Sequence, residues 1–182
     1  MMLTGHVPVP FYQNRYEVLS HAAAIAPATG LVLEFGVASG ATINHLACSH
    51  ALRERRVYGF DSFCGLPEPW GHYPVGHFAC DPPVVARNVE LVVGLFAETL
   101  PPFLAQHEGT CALIHLDADI YSSTRTILEA LDARIVSGTV FELDEYFIEG
   151  SEQRAFTEWL TQTNRRARPE ARSIEQLCVS IE

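Results

Sequence analysis

Short apolar runs alternate with amphipathic stretches along the chain, and their spacing predicts strands and helices in turn. Tyr12, Tyr16, Leu19, Ala23 and Ala26 recur at helical intervals, so a helix is expected over 11–26, closed by Pro27 and Gly30. The apolar run 31–35, halted by Gly36, reads as a buried strand, followed by a helix over 41–53 and a strand over 57–60. Residues 62–87 are rich in proline, with Gly65, Gly71 and Gly76, and are expected to form an irregular loop over one end of the sheet. Further on, strands are expected over 89–93, 111–116, 139–143 and 176–181. Helices are expected over about 100–107, entered through Pro101 and Pro102, and over 122–133 and 151–163.

Strands alternating with helices point to an α/β fold, a doubly wound and mostly parallel sheet in three α/β/α layers. A length of 182 residues suits one such domain over 1–182, with 62–88 as its lid-like loop, and 48% hydrophobic residues suffice for its core. Sheets of this kind bind ligands beyond the carboxyl ends of their strands, at the switch point beside strand one. Candidate residues are therefore those just after a strand.

The first strand runs into Gly36-Val37-Ala38-Ser39-Gly40-Ala41-Thr42. A strand-to-helix turn with two glycines admits a ligand to the backbone, and the helix start favours an anion. A nicotinamide dinucleotide would want glycine at Ala38 and would meet the carboxylate of Glu34 with its pyrophosphate. S-adenosylmethionine carries no phosphate. Its ammonium suits Glu34, and its carboxylate suits the turn amides and the Thr42 hydroxyl. Asp61 closes the second strand, where an acid can hold ribose hydroxyls, though a turn aspartate before Ser62 would look the same. Gly94, Leu95, Phe96 and Ala97 follow the third strand and would line an adenine pocket, with core packing as the other reading of Phe96.

The fourth and fifth strands end in Asp117-Ala118-Asp119 and Asp144-Glu145. Neighbouring strands would set Asp117 against Asp144, and like charges so close share a proton or hold a cation. An all-oxygen set suits Mg²⁺, which would hold and acidify a substrate hydroxyl. Solvated loop acids are the alternative, with Asp119 and Ser122 as caps of the next helix. His115 reads as a buried, hydrogen-bonded strand histidine.

Charge narrows the partners. Asp and Glu outnumber Lys and Arg by 22 to 12, a net charge of −10 that argues against nucleic acid. The one basic cluster, Arg165, Arg166 and Arg168, reads as a solvated loop after a helix. No apolar run is long enough for a membrane span, no signal peptide is evident, and five scattered cysteines suit a reducing cytoplasm.

The runs LVLEFGVASGAT, VYGFDSFCGLPEPW, VVGLFAETLPPF, LIHLDADIYSST and VFELDEYF together resemble the macrocin O-methyltransferase family, in the right order from about Leu31 to Trp159. A weaker likeness to catechol O-methyltransferase covers the same strand ends. The resemblance implies that Glu34, Gly36, Gly40 and Thr42 hold the methionine end of S-adenosylmethionine, that Asp61 takes the ribose, and that Phe96 and Ala97 flank the adenine. It implies Mg²⁺ ligation by Asp117, Asp144 and Glu145, with Asp117 also as base. Ala38, Ser39, Ser62, Gly94 and Asp117 complete the expected cofactor set. The chain departs from the family at Asp144-Glu145, where two aspartates or aspartate-asparagine are common, and Ile120 replaces the lysine of the catechol enzymes.

The expected function is therefore S-adenosylmethionine-dependent methylation of a small-molecule hydroxyl, on a sugar or other secondary metabolite, with a homo-oligomer among the expected partners. Metal-free O- or N-methylation, a nicotinamide-dependent oxidoreductase and a non-catalytic cofactor-binding protein are the alternatives.

Overall fold

A computed structural model describes residues 9–148 and 151–182. Strands β1 (Leu31–Phe35), β2 (Val57–Asp61), β3 (Val89–Val93), β4 (Cys111–Leu116), β5 (Val140–Leu143), β6 (Ala167–Arg172) and β7 (Leu177–Ile181) form one sheet in the order 3-2-1-4-5-7-6. The first five are parallel. β7 runs antiparallel to β5, and β6 antiparallel to β7. Chain direction reverses its winding at β1, so the ends of β1, β2 and β4 open the crevice expected of a doubly wound sheet.

Strand alternation sends side chains to two cores. Leu33, Phe35, Ile114, Leu116, Phe141 and Leu143 pack against α3 (Phe96–Gln106), α4 (Tyr121–Leu131) and α5 (Ser151–Thr163). Val32, Leu113, Val140 and Cys178 pack on the other face against α1 (Arg15–Ile25) and α2 (Ala41–Cys48). Glu34, His115 and Glu142 belong to that second face and stand side by side in register. A charged row thus crosses the middle of an apolar layer.

Several expected boundaries move. α1 begins at Arg15 because Asn14 caps it, its side chain accepting from Glu17 N, while Glu17 accepts from Gln13 N in return. Phe11 and Tyr12 are instead extended, with Tyr12 N donating to Arg172 O. α2 stops at Cys48, well short of residue 53. α3 starts at Phe96, before the prolines taken as its entry; Glu98 N and Thr99 N both bond Leu95 O, and this first turn is closed before Pro101 and Pro102 withhold their donors. α4 ends at Leu131 and passes into a 3-10 turn, Asp132–Arg134.

Arg165 and Arg166 lie in the loop after α5 as expected, but Arg168 falls in a strand. β6 is an additional strand, hidden in ARPEAR because an edge strand needs few apolar residues. Arg168 pairs there with Glu170, while Arg165 is half-buried against Asp132 and the ring of Trp159. The irregular segment 62–88 is pinned at both ends: Asn44 donates to Val84 O and accepts from Ala86 N, and Ser122 Oγ donates to Glu68. No helix among the described residues is long and apolar enough to cross a membrane.

Candidate active site

Backbone bonds continue past the strand ends and fix the site's register. Gly36 N bonds Phe60 O, Gly94 N bonds Asp61 O, Asp117 N bonds Phe35 O and Asp144 N bonds Leu116 O. Gly36 has φ +90°, and a Cβ there would lie 1.8 Å from the Asp117 carbonyl oxygen, so only glycine lets the two strand ends approach. A cleft of about 520 Å³ opens above them. It brings together Gly36, Asp61, Ser62, Gly94, Phe96 and Asp117 of the expected residues, with Leu95, Ala118 and Asp119 beside them and Leu66, Pro67 and Phe78 from the long loop. Phe96 does double duty, meeting Phe35 edge-to-face at 5.4 Å while lining the cleft.

Glu34 and Thr42 do not face this cleft. Strand alternation turns Glu34 into the layer beneath α2, where it is fully buried and accepts from Thr42 Oγ1 at 2.9 Å and His115 Nδ1 at 2.8 Å. The expectation that Glu34 meets an ammonium and Thr42 a carboxylate is corrected accordingly: the two side chains hold each other. Ala38, Ser39, Gly40 and Ala97 contribute no wall to the cleft, although the first backbone bond of α2 runs from Asn44 N to Gly40 O, leaving the amides of Ala41, Thr42 and Ile43 as the orphan donors of a helix start.

Asp61 is held from all sides. Oδ2 accepts from Val37 N at 2.9 Å and Ala38 N at 2.8 Å, and Oδ1 from Phe63 N at 2.8 Å. It is both a turn aspartate and a cleft residue, the two readings being compatible because each oxygen has more than one lone pair.

The ends of β4 and β5 differ. Asp144 is fully buried, and neither carboxylate oxygen has an aligned hydrogen bond; the same is true of Glu145 Oε2. Arg15 reaches in from α1, with Nη2 2.7 Å from Asp144 Oδ2 and Nη1 3.5 Å from Asp117 Oδ2. Asp117 keeps 21% of its side chain exposed, toward the cleft. Burial, then the neighbouring Asp144, raises its pKa well above the carboxylate range. Burial pushes Glu145 up to about 11, reinforced by Asp117, Glu152 and Asp144. Donor atoms of Asp117, Asp119 and Glu145 lie within 4.8 Å of one another, as do those of His115, Asp117 and Asp144, so Asp117 joins both groups.

Asp119 is no helix cap. The N-cap of α4 is Ile120, without a side-chain bond, and Asp119 has φ +59° and lines the cleft, its pKa raised to about 6 by burial and Asp144. His115 stands between two acids, its Nε2 3.0 Å from Glu142 Oε2 without hydrogen-bond alignment. Burial alone would lower its pKa, but Glu142 and Glu34 outweigh that and hold it well above its ordinary value. Glu152, at the start of α5, is buried and accepts from Ala118 N at 3.0 Å and Glu145 N at 3.3 Å, tying the β4 and β5 loops together.

A family model described as a methyltransferase domain matches residues 33–146, which hold every strand end of this cleft. The chain belongs to that family. It is an S-adenosylmethionine-dependent methyltransferase, and the nicotinamide-dependent reading falls with that match. No curated protein matches it significantly. Among solved structures, the methyltransferase is similar to the calicheamicin methyltransferase CalS11, with 24% identity over 91% of this chain and 76% of that one, TM-score 0.71. It is also similar to the O-methyltransferase NovP, with 20% identity, 91% and 78% coverage and TM-score 0.69. MycE, from the mycinamycin biosynthetic pathway and solved with Mg and SAH, shares 15% identity over 91% of this chain and 48% of its own, TM-score 0.57. At these identities the likeness is one of fold.

Proposed function

We propose that this methyltransferase transfers the S-adenosylmethionine methyl group to a hydroxyl of a small molecule, a sugar or other secondary-metabolite acceptor, with Asp117 as base. The observation that carries this is Asp117 itself: a carboxylate with a raised pKa, partly open to the cleft that Asp61, Gly94 and Phe96 also line. The ionised carboxylate can take the hydroxyl proton as the oxygen attacks the methyl carbon in line and S-adenosylhomocysteine leaves. Phe96 and Leu95 offer an apolar wall for the adenine, and Asp61 Oδ1 retains a lone pair for a ribose hydroxyl. CalS11, of the same fold, is a TDP-rhamnose 3'-O-methyltransferase, which supports a sugar acceptor.

Divalent-cation chemistry fits the donors. Asp117, Asp144 and Glu145 are oxygen donors, and the buried oxygens of Asp144 and Glu145 without hydrogen bonds are what a hard cation would satisfy. Asp117, which groups closely with Asp144 on one side and with Asp119 and Glu145 on the other, would hold Mg²⁺ with these acids, and the ion would lower the pKa of the acceptor hydroxyl. Calorimetry with S-adenosylhomocysteine, with and without Mg²⁺ and with NAD as control, tests the cofactor reading. Binding of the homocysteine compound and not NAD is expected, and Asp61→Ala should weaken it about 10- to 100-fold, the worth of a hydrogen bond to a charged group. Preference for NAD would overturn the proposal.

A further inference from the structure

The position of Arg15 follows from the sequence of α1. The reciprocal cap between Asn14 and Glu17 fixes where the helix begins, and Val18, Leu19, Ala22 and Ala23 bury its inner face against the sheet. Arg15 precedes Val18 and Leu19 by three and four residues, so it lies on that same face, one turn nearer the strand ends. Its side chain lies over the ends of β4 and β5, 36% exposed, at ion-pair distance from Asp144 and near Asp117.

The surrounding charge is unbalanced. Among the described residues, His115 is engaged by Glu34 and Glu142, which leaves Arg15 as the cation in contact with the Asp117–Asp144 pair. Its contact with Asp144 is close but not aligned as a hydrogen bond, since both Asp144 oxygens still lack a partner. A guanidinium makes its strongest pairs with carboxylates in aligned, bidentate geometry, and this contact has neither feature.

Resting on the methyltransferase reading above, we infer that Arg15 is the resident counter-ion of the Asp117–Asp144 pair and that a divalent cation competes with its guanidinium for the same carboxylate oxygens. Two cations cannot share one edge of Asp144 without strong repulsion. Arg15 has a way out, because a third of its side chain is already in solvent. The ion therefore binds at the cost of displacing Arg15.

The test is Mn²⁺ binding, followed by calorimetry on the full chain saturated with S-adenosylhomocysteine, for the wild type, Arg15→Gln and Arg15→Lys. Arg15→Gln should bind Mn²⁺ about tenfold tighter than wild type or more, roughly the 1.4 kcal/mol of one relieved ion-pair contact. Arg15→Lys, whose single-point ammonium matches the pair less well, should gain about threefold and carries the same expectation should Arg15→Gln not fold. Equal or weaker affinity in the folded variants, or no Mn²⁺ binding to any of the proteins, would overturn the competition. Binding of S-adenosylhomocysteine is read separately in each protein, so failure of the cofactor reading is distinguishable from failure of the role given to Arg15.

Discussion

Two strand-end regions of this molecule carry carboxylates in equivalent positions and treat them in opposite ways. At the end of β2, Asp61 accepts three backbone N–H bonds, from Val37, Ala38 and Phe63. At the end of β5, Asp144 is more deeply buried and has no aligned hydrogen bond, only the nearby charge of Arg15. The difference lies in the chain that follows. The glycine turn after β1 folds its amides back toward β2, whereas the segments after β4 and β5 bring further acids, Asp119 and Glu145, and spend two amides on Glu152. One half of the cleft is complete in its own donors, as a recognition surface for an uncharged ribose needs to be. The other half crowds buried acids with few donors, and ionising them without partners is costly. That half is built to be completed by what it binds.

The comparison breaks most sharply at Asp117, the acid shared by both metal-like groups. Asp117→Asn should lower turnover by about 10²- to 10⁴-fold, the range for losing a general base, with S-adenosylhomocysteine affinity little changed. Release of the homocysteine product with a sugar-nucleotide acceptor found by screening measures the first, and calorimetry the second. A loss of cofactor binding as large as the loss of rate would merge the two halves into one. Next in size is Glu152→Ala. It orphans the amides of Ala118 and Glu145, each worth about 1–3 kcal/mol when buried, against which removal of a like charge works in the other direction. A net loss of about 2 kcal/mol in urea unfolding is expected, and an unchanged midpoint would show that the two acidic loops hold their places without the tie.

The same contrast explains what could be seen in advance. β3 and β4 were legible to the residue, and Gly36, Asp61 and Asp117 could be chosen, because a strand end in a doubly wound sheet is a local signal with a global meaning. β6 was not, since ARPEAR owes its strand to pairing with β7 rather than to its own pattern. Arg15, Glu142 and Glu152 were missed for a related reason: each acts on residues far away in sequence, and only the packing of α1, β5 and α5 brings them in. Signals existed. Glu34, His115 and Glu142 each interrupt an apolar strand at its penultimate position, and three such interruptions in register are a buried network. Arg15 shares a helix face with Val18 and Leu19, which no solvated arginine needs to do.

A further effect is expected in the pH dependence of stability, and it separates the two halves without any substrate. Burial raises Asp119 to about 6, Glu142 to about 7, Glu152 to about 8 and Glu145 to about 11. Each group then holds its proton in the folded protein over a range where the unfolded chain, with ordinary carboxylates, has released it. His115, raised well above 6.5, adds a proton to the folded state in the same sense. The folded form binds more protons, so stability falls as pH rises from about 5 toward 9, at up to about 1.4 kcal/mol per pH unit for each proton of difference. The melting temperature in EDTA should therefore decline across that range. Glu145→Gln, which removes the acid with the widest window, should flatten the decline by up to one proton's worth, about 1.4 kcal/mol per pH unit. Saturating Mn²⁺ should flatten it too, because a bound cation favours the ionised carboxylates that burial opposes. A melting temperature that rises with pH, or a slope indifferent to both changes, would mean that the β4–β5 half carries no unbalanced charge and that the contrast with Asp61 is one of hydrogen-bond geometry alone.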